Sequence, residues 1–333
     1  MAQSSLSLLG DVSKNQTSPR GCPLCNGSVV HTECMARDEL RNEGECLYRY
    51  VRCFSCQTLY LDPLPTGVPL SELYDSGYHI WNKNSLKLFF HYLFLDLPQV
   101  RTVQKFKKGG SLLDIGCGMG TFLACVRKNT NWKIEGIEPS SYGCESAFEK
   151  LGLSVRQTTL EDAPFAARSF DVITLWDVLE HVENPRSTLK KVHRLLKEDG
   201  VVLISMPNIG SVDYPLFKER WYYLAAPYHF SLFSPSGVRR LLREEGFDPL
   251  LFRTTFLSLY DSVFCSFQWV LRKGENIPRT PFQKMRRNFI SFTGIFIGVL
   301  LCLVMSPIFF MAHLFQRGSR LVVAARKTPG EDS

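Results

Sequence analysis

Three groups of residues in this 333-residue chain have types and spacing suited to chemistry. The first is a pair of Cys-x-x-Cys knuckles, Cys22 with Cys25 and Cys53 with Cys56, with 27 residues between them. Four thiolates so arranged can close a tetrahedral structural Zn²⁺ site. The second is the glycine run Gly116-Cys117-Gly118-Met119-Gly120, which follows the apolar stretch Ser111 to Ile115 with its carboxylate Asp114. Glycines there let a ligand approach the backbone, and a following helix offers free N–H groups at its start. The third is Asp177, Glu180 and His181, spaced i, i+3, i+4, which on a helix would share one face. An imidazole with an ordinary pKa near 6.5 can take a proton from a nucleophile. The same three side chains could hold a divalent ion such as Mg²⁺, or serve only as helix-end hydrogen-bonding groups, and the sequence leaves these readings open.

Charge and cysteine usage narrow the setting. The net charge is +7, but Arg272 to Lys327 holds ten basic residues and one acid, so the rest of the chain is slightly acidic. Met1 to Leu70 has six basic residues against seven acids, which offers no counterion-release force for nucleic acid. The cysteine module is therefore expected to fold around zinc without binding nucleic acid. Eleven cysteines, an odd number, and a start lacking a basic, apolar leader point to a reducing cytoplasmic setting.

Elements that could position these groups are visible along the chain. A strand over Ser111 to Ile115 is followed by the glycine turn and a helix through Phe122, Leu123 and Val126. Trp132 to Ile137 reads as a second strand ending in Glu138, where a carboxylate can accept ribose hydroxyls. Phe170 to Leu175 and Gly200 to Met206 read as further strands. The fold class is α/β, a doubly wound sheet.

Leu112-Leu113-Asp114-Ile115-Gly116-Cys117-Gly118-Met119-Gly120, then Gly136-Ile137-Glu138-Pro139, then Phe170-Asp171-Val172-Ile173 leading to Asp177-Val178-Leu179-Glu180-His181-Val182, resemble the ordered motifs of class I S-adenosylmethionine-dependent methyltransferases. The resemblance implies a Rossmann-like sheet of seven mostly parallel strands. It places Asp114, Gly116, Gly118 and Gly120 at the methionine end of the cofactor, Glu138 at its ribose, Leu160 and Glu161 near adenine, and Trp176 at the end of the fourth strand. The Asp177, Glu180, His181 trio is similar to the carboxylate, carboxylate, histidine site of ubiquinone-pathway O-methyltransferases, with Asp in place of that family's first Glu. The cysteine knuckles look like the zinc extension of bacterial sugar and lipid methyltransferases. Met206-Pro207-Asn208 lacks the Asn-Pro-Pro-Tyr pattern of base and amide N-methylation. The aromatic stretch Trp221 to Phe230 falls where the family covers its substrate, with His229 a secondary contact.

The family's sixth and seventh strands correspond to Phe247 to Thr254 and Ser319 to Ala325, yet some sixty residues separate them. Within that insert, Phe256, Leu259, Tyr260, Val263, Phe264 and Phe267 form an apolar stripe with Ser258, Asp261, Ser262 and Ser266 opposite, the pattern of a helix lying at an interface. Residues 288–316 contain no Asp, Glu, Lys or Arg, more than the roughly 20 that cross a bilayer. Because the last two strands must pair, the chain has to return to its starting side. The expectation is a re-entrant or interfacial hairpin bent near Ser306-Pro307, flanked by Arg286, Arg287, Arg317 and Arg320, on the cytoplasmic face of a membrane. A buried soluble hairpin is the alternative.

The expected organisation is a tail (1–20), a zinc-ribbon-like module (21–65), a methyltransferase domain (70–254 plus 319–327) and a membrane-associating helical insert (255–318). The expected activity is O-methylation of a membrane or lipid-linked small molecule. Sugar C- or N-methylation, or a non-catalytic binding protein on the same scaffold, are the alternatives. No feature specifies an oligomeric state.

Overall fold

The computed structural model describes residues 20–38, 47–65, 91–271 and 281–329, without side chains for 281–295. The expected N-terminal tail up to residue 19, the start of the methyltransferase domain at 70–90 and the linker at 272–280 lie outside these residues.

The N-terminal module is an antiparallel sheet of β1 (Val30–Ala36), β2 (Tyr48–Cys53) and β3 (Leu59–Leu61). After α1 (Leu97–Phe106), strand and helix alternate: β4 (Ser111–Ile115), α2 (Thr121–Asn129), β5 (Lys133–Glu138), α3 (Ser141–Leu151), β6 (Arg156–Gln157), β7 (Phe170–Trp176), α4 (Pro185–Leu195) and β8 (Leu196–Pro207). Local chemistry starts these helices. Ser140 Oγ accepts from Gly143 N, and Asn184 Oδ1 from Ser187 N with Pro185 in the first turn. Leu112, Leu113, Val172, Ile173, Leu175, Val202, Leu203 and Ile204 are buried on both sides of the sheet, as central parallel strands require.

A short helix α5 (Tyr214–Phe217) and strand β9 (Ser231–Leu232) precede α6 (Pro235–Glu244) and β10 (Phe247–Thr254). The insert forms α7 (Leu257–Leu271) and α8 (Pro281–Leu314) before β11 (Arg320–Lys327). The seven-stranded sheet runs β10-β11-β8-β7-β4-β5-β6, with only the β10–β11 and β11–β8 pairings antiparallel. This is the expected doubly wound topology. The C-terminal ends of β4, β5 and β7 carry the candidate residues of the glycine turn, Glu138 and Trp176 to His181.

The cysteine module is built into the larger domain. Its sheet is extended by β9 through Leu59↔Leu232 and Tyr60↔Ser231. Tyr50, Leu59, Leu61, Trp221, Tyr228, Phe230 and Leu232 share one apolar cluster. Tyr50 Oη donates to the His229 carbonyl at 2.8 Å, and Tyr214 Oη to Glu33 at 2.9 Å.

The insert differs from expectation in two ways. First, α8 continues through Pro307, so no hairpin turn forms at Ser306-Pro307. The chain returns instead by antiparallel packing of α8 on α7: Phe256 meets Phe310, Tyr260 meets Phe309 and bonds Ser306, and Phe264 lies over Gly298. Cys302, Phe309 and Ala312, buried against α7, hold the helix in register on both sides of the proline, and Ser306 Oγ caps the Cys302 carbonyl at 3.0 Å. Second, the serine face of α7 points into the protein. Ser258, Ser262 and Ser266 are buried; Ser262 bonds Asp213, Ser266 accepts from Tyr222 N at 2.8 Å, and Ser258 accepts from Arg320 N at 3.2 Å. Small hydroxylated side chains let α7 approach closely while satisfying these donors. The buried-hairpin alternative does not hold for α8, whose Phe296, Leu303 and Val304 are each at least 64% exposed.

Candidate active site and cysteine centre

The glycine turn joins β4 to α2 in a left-handed backbone. Gly116 has φ +65°, and a Cβ there would sit 2.8 Å from Val178 Cγ2. Gly118 has φ +52° and its missing Cβ would meet nothing within 4 Å, so the middle of the turn is open to a ligand. Glu138, at the end of β5, closes the turn: Oε2 accepts from Gly118 N and Oε1 from Ser140 N, both at 2.9 Å. Asp114 is 2% exposed, bonded at 2.6 Å to Thr174 Oγ1. Burial, with Asp96 and Glu138 nearby, pushes its carboxyl up to about 8. Asp96 was not visible as a site residue in the sequence; it is buried just before α1, 3.4 Å from Thr121 Oγ1 at the start of α2. Three carboxyl groups around one glycine turn make a pocket whose field favours a cation.

Among the other expected cofactor contacts, Leu160 is buried and Glu161 exposed in the turn after β6. Trp176 packs edge-on against Phe122 of α2 at 5.4 Å, and its Nε1 finds no acceptor among the described residues.

The Asp177, Glu180, His181 trio is not on one helix face. Asp177 has φ +56°, and only Leu179–His181 forms a single tight turn before α4 begins. Asp177 therefore points away, forming an ion pair with Arg320 of β11 and accepting from Ser205 Oγ at 3.1 Å. Arg320, counted from the sequence among the membrane-flanking charges, is 9% exposed and committed to this pair, so it does not belong to that collar. Glu180 and His181 stay together and meet His229 from the loop before β9; the ligating atoms of these three lie within 4.8 Å of one another. Glu180 is fully buried, and neither carboxylate oxygen has a partner among the described residues. His181 Nδ1 lies 2.9 Å from the Tyr228 carbonyl and His229 Nδ1 2.7 Å from that of Tyr223, with the two rings edge to face at 4.6 Å. Burial pushes His181 down to about 4 and His229 well below the ordinary imidazole range, while burial and Asp177 push Glu180 well above the carboxylate range.

Asp213 was invisible in the sequence because its partners are remote. This fully buried carboxylate accepts from Trp221 Nε1 at 2.7 Å and Ser319 Oγ at 2.9 Å and bonds Ser262 of α7. It ties the aromatic loop that carries His229 to the insert and to the start of β11.

Cys22, Cys25, Cys53 and Cys56 converge as expected. Their sulfurs lie within 4.8 Å of one another, with Cys22 to Cys56 and Cys25 to Cys53 each 3.5 Å apart. Sulfurs around a tetrahedral zinc with bonds of about 2.3 Å lie roughly 3.8 Å apart, so four reduced thiols here fit that ion. Gly27 leaves room for them, since a Cβ would stand 3.2 Å from the sulfurs of Cys25 and Cys53. Cys34 lies outside this cluster, in β1.

Residues 89–251 match the family model described as a methyltransferase domain. A stretch of 110 residues is 38% identical to the ubiquinone biosynthesis O-methyltransferase of Actinobacillus pleuropneumoniae, covering 30% of this chain and 47% of that relative. The chain thus spans about half the length of such curated relatives. The tRNA U34 carboxymethyltransferase of Desulfotalea psychrophila is 31% identical over 122 residues, 34% of this chain and 38% of that protein. Among solved structures, phosphoethanolamine N-methyltransferase 2 of Haemonchus contortus with S-adenosyl-L-methionine superposes with a TM-score of 0.52 at 15% identity, covering 87% of this chain and 70% of that one, a likeness of fold. Together with the sheet order and the glycine turn closed by Glu138, these matches identify residues 89–251 as a methyltransferase domain on a Rossmann-like sheet.

Proposed function

We propose that the chain is an S-adenosylmethionine-dependent methyltransferase that O-methylates a small acceptor held in or on a membrane. The observation that carries the reading of the cofactor is the open glycine turn bridged by Glu138, with Asp114 and Asp96 behind it. A cationic sulfonium and ammonium would find three carboxyl groups there, and Glu138 can exchange its two backbone donors for ribose hydroxyls. In the transfer, a lone pair of the acceptor oxygen attacks the methyl carbon in line with the sulfur. The C–S bond breaks, S-adenosylhomocysteine leaves, and the acceptor's O–H proton passes to a base or to water. The low basicity of buried His181 makes it a better orienting or ligating group than a proton acceptor.

The acceptor class rests on α8. Its stretch Phe296–Leu314 is apolar and long enough to cross a membrane, and only the side toward α7 is covered. A single crossing would separate β10 from β11, which pair along their lengths. The α7–α8 pair therefore lies in the interface, with the exposed side of α8 in the lipid and Asp213 linking α7 to the aromatic loop. Several relatives are named ubiquinone biosynthesis O-methyltransferases, which supports transfer to an oxygen.

The test uses purified full chain, S-adenosylmethionine labelled in its methyl group, and lipid extracts of cells lacking the gene. Label entering the organic phase, in a species that is lighter by one methylene in the deletion extract, is the expected result. Label confined to water-soluble sugar or to RNA would replace the acceptor assignment. Failure to bind S-adenosylmethionine by calorimetry would remove the enzymatic reading altogether.

A further inference from the structure

We infer that helix α7 forms one wall of the acceptor site, and that Asp261 on α7 and Arg320 on β11 together hold a hydroxyl of the acceptor other than the one that is methylated. The inference rests on the methyl-transfer reading but not on the acceptor being a lipid.

The insert stands close to the glycine turn. A Cβ at Gly116 would lie 2.8 Å from Val178, so the chain leaving β7 touches that turn. The preceding residue, Asp177, pairs with the guanidinium of Arg320, whose backbone N donates to Ser258 Oγ of α7 at 3.2 Å. Further along α7, Ser266 Oγ accepts from Tyr222 N of the aromatic loop at 2.8 Å. The helix is thus anchored at one end to the start of β11 and at the other to the aromatic loop.

Asp261 lies between these anchors, one turn on from Ser258. Ser258 and Ser262 are buried, yet Asp261 is exposed. An exposed carboxylate beside the buried face of a helix marks an opening. Arg320 faces Asp261 on one side of it, and Tyr222 and Tyr223 on the other, all within electrostatic reach. Asp177, whose side chain is 39% exposed, reaches the same two tyrosines from the end of β7. The opening therefore runs from α7 to the strand end that borders the glycine turn.

Within it, Asp261 and Arg320 attract each other without touching. Arg320 gives Nη2 to Asp177 and Ser205, while its Nε is a buried donor with no acceptor among the described residues. Asp261 forms no hydrogen bond or ion pair among those residues. An unmet buried donor is costly, so the gap between guanidinium and carboxylate calls for a group that serves both. A hydroxyl donates and accepts at once. An ammonium would be drawn to Asp261 and repelled by Arg320, and a carboxylate the reverse. The pair selects a neutral hydroxyl, and the Asp177–Arg320 contact sets it apart from the reacting methyl. Asp261 is therefore a positioning residue, whose loss weakens acceptor binding more than it slows the chemical step.

The experiment measures methyl transfer by the full chain from S-adenosylmethionine labelled in its methyl group into extracts of cells lacking the gene, with the extract as the varied component. Asp261→Ala should raise the extract concentration giving half-maximal rate at least about tenfold, as for loss of one hydrogen bond to a charged group, and leave the maximal rate within about twofold. Asp261→Asn, whose amide oxygen still accepts, should raise it less. Asp248→Asn, which removes an exposed carboxylate at the opposite edge of the sheet, should leave it unchanged. Wild-type half-saturation in Asp261→Ala overturns the inference. So does a loss confined to the maximal rate, which would make the held hydroxyl the reacting one. A rise accompanied by weaker S-adenosylmethionine binding in calorimetry, or by a lower melting temperature in both Asp261 variants, also overturns it, because Asp261 would then be structural. A wild-type protein that binds S-adenosylmethionine but labels nothing sinks the methyl-transfer reading and this inference with it. Failure of the inference alone looks different, since the wild type then transfers label and Asp261→Ala matches it.

Discussion

Asp114 should make the ligand-free protein less stable as pH rises, and replacing it should make the fold stronger and the cofactor weaker. Its carboxyl is buried beside Asp96 and Glu138, and its folded-state value is about 8 against the ordinary 3.8. Between those values the folded state holds a proton that the unfolded chain has released. The folded state therefore binds more protons, and stability falls as pH climbs from about 4 to about 8, with the loss complete above that. At about 1.4 kcal/mol per tenfold change, the difference between 3.8 and about 8 puts the full penalty on the order of 5 kcal/mol. Asp114→Asn keeps the shape and the Thr174 contact but has no proton to lose. Its melting temperature should exceed that of the wild type by an amount that grows from near zero at pH 4 to on the order of 10 °C at pH 9, using about 2–4 °C per kcal/mol for a chain of this size. A bound cation would relieve the same penalty, so wild-type cofactor binding near pH 7 should release close to one proton, read as a calorimetric enthalpy that depends on the buffer. The variant should release none and bind at least about tenfold more weakly. A melting difference that does not change with pH, or a variant less stable than wild type at pH 9, would refute the reasoning.

Four further outcomes follow from other contacts. Asp213→Ala strands the donors of Trp221, Ser262 and Ser319 in the interior and should cost roughly 3–5 kcal/mol, seen as a lowered urea midpoint, whereas Asp213→Asn should cost less. Asp177→Asn leaves Arg320 buried without its carboxylate and should destabilise by roughly 3 kcal/mol or more; combining it with Arg320→Met should recover most of that in the same melt. Leu303→Glu with Val304→Glu, on the exposed side of α8, should abolish sedimentation with phospholipid vesicles while leaving S-adenosylmethionine affinity unchanged. Cys56→Ser should lose the zinc equivalent held by the thiol cluster and, because β3 pairs with β9, should also loosen the loop carrying His229, measured as faster amide exchange there.

What could be read in the sequence was whatever is decided within one strand, turn and helix. Gly116 and Gly118 form the left-handed turn after β4 and Glu138 ends β5, elements legible in the sequence because a glycine turn and a strand end are set by their immediate neighbours. The four cysteines converged because each knuckle is a local turn and zinc geometry leaves the pair few ways to close. Spacing failed where it assumed a helix. The i, i+3, i+4 rule put Asp177 with Glu180 and His181, but Asp177 adopts a positive φ at the end of β7, and a single residue off the helix is enough to break the shared face. His229 and Arg320 then enter through contacts 48 and 143 residues away, which no local pattern records.

The insert shows a different limit. Periodicity identified the two faces of α7 correctly, but it cannot say which side is inside when one neighbour is a polar protein surface and the other is apolar. The usual inference, apolar inward, assumes that water is the outer phase. Here Ser258, Ser262 and Ser266 face Arg320, Asp213 and Tyr222, while Phe256, Tyr260 and Phe264 face α8, whose own outer side stays apolar. The polarity of the pair runs outward from hydroxyl to hydrocarbon, the reverse of a soluble domain. Exposed apolar surface of this kind marks a site of protein or membrane contact. That contrast supports the proposed lipid contact: α8 leaves Phe296, Leu303 and Val304 exposed while Cys302, Phe309 and Ala312 are buried with α7.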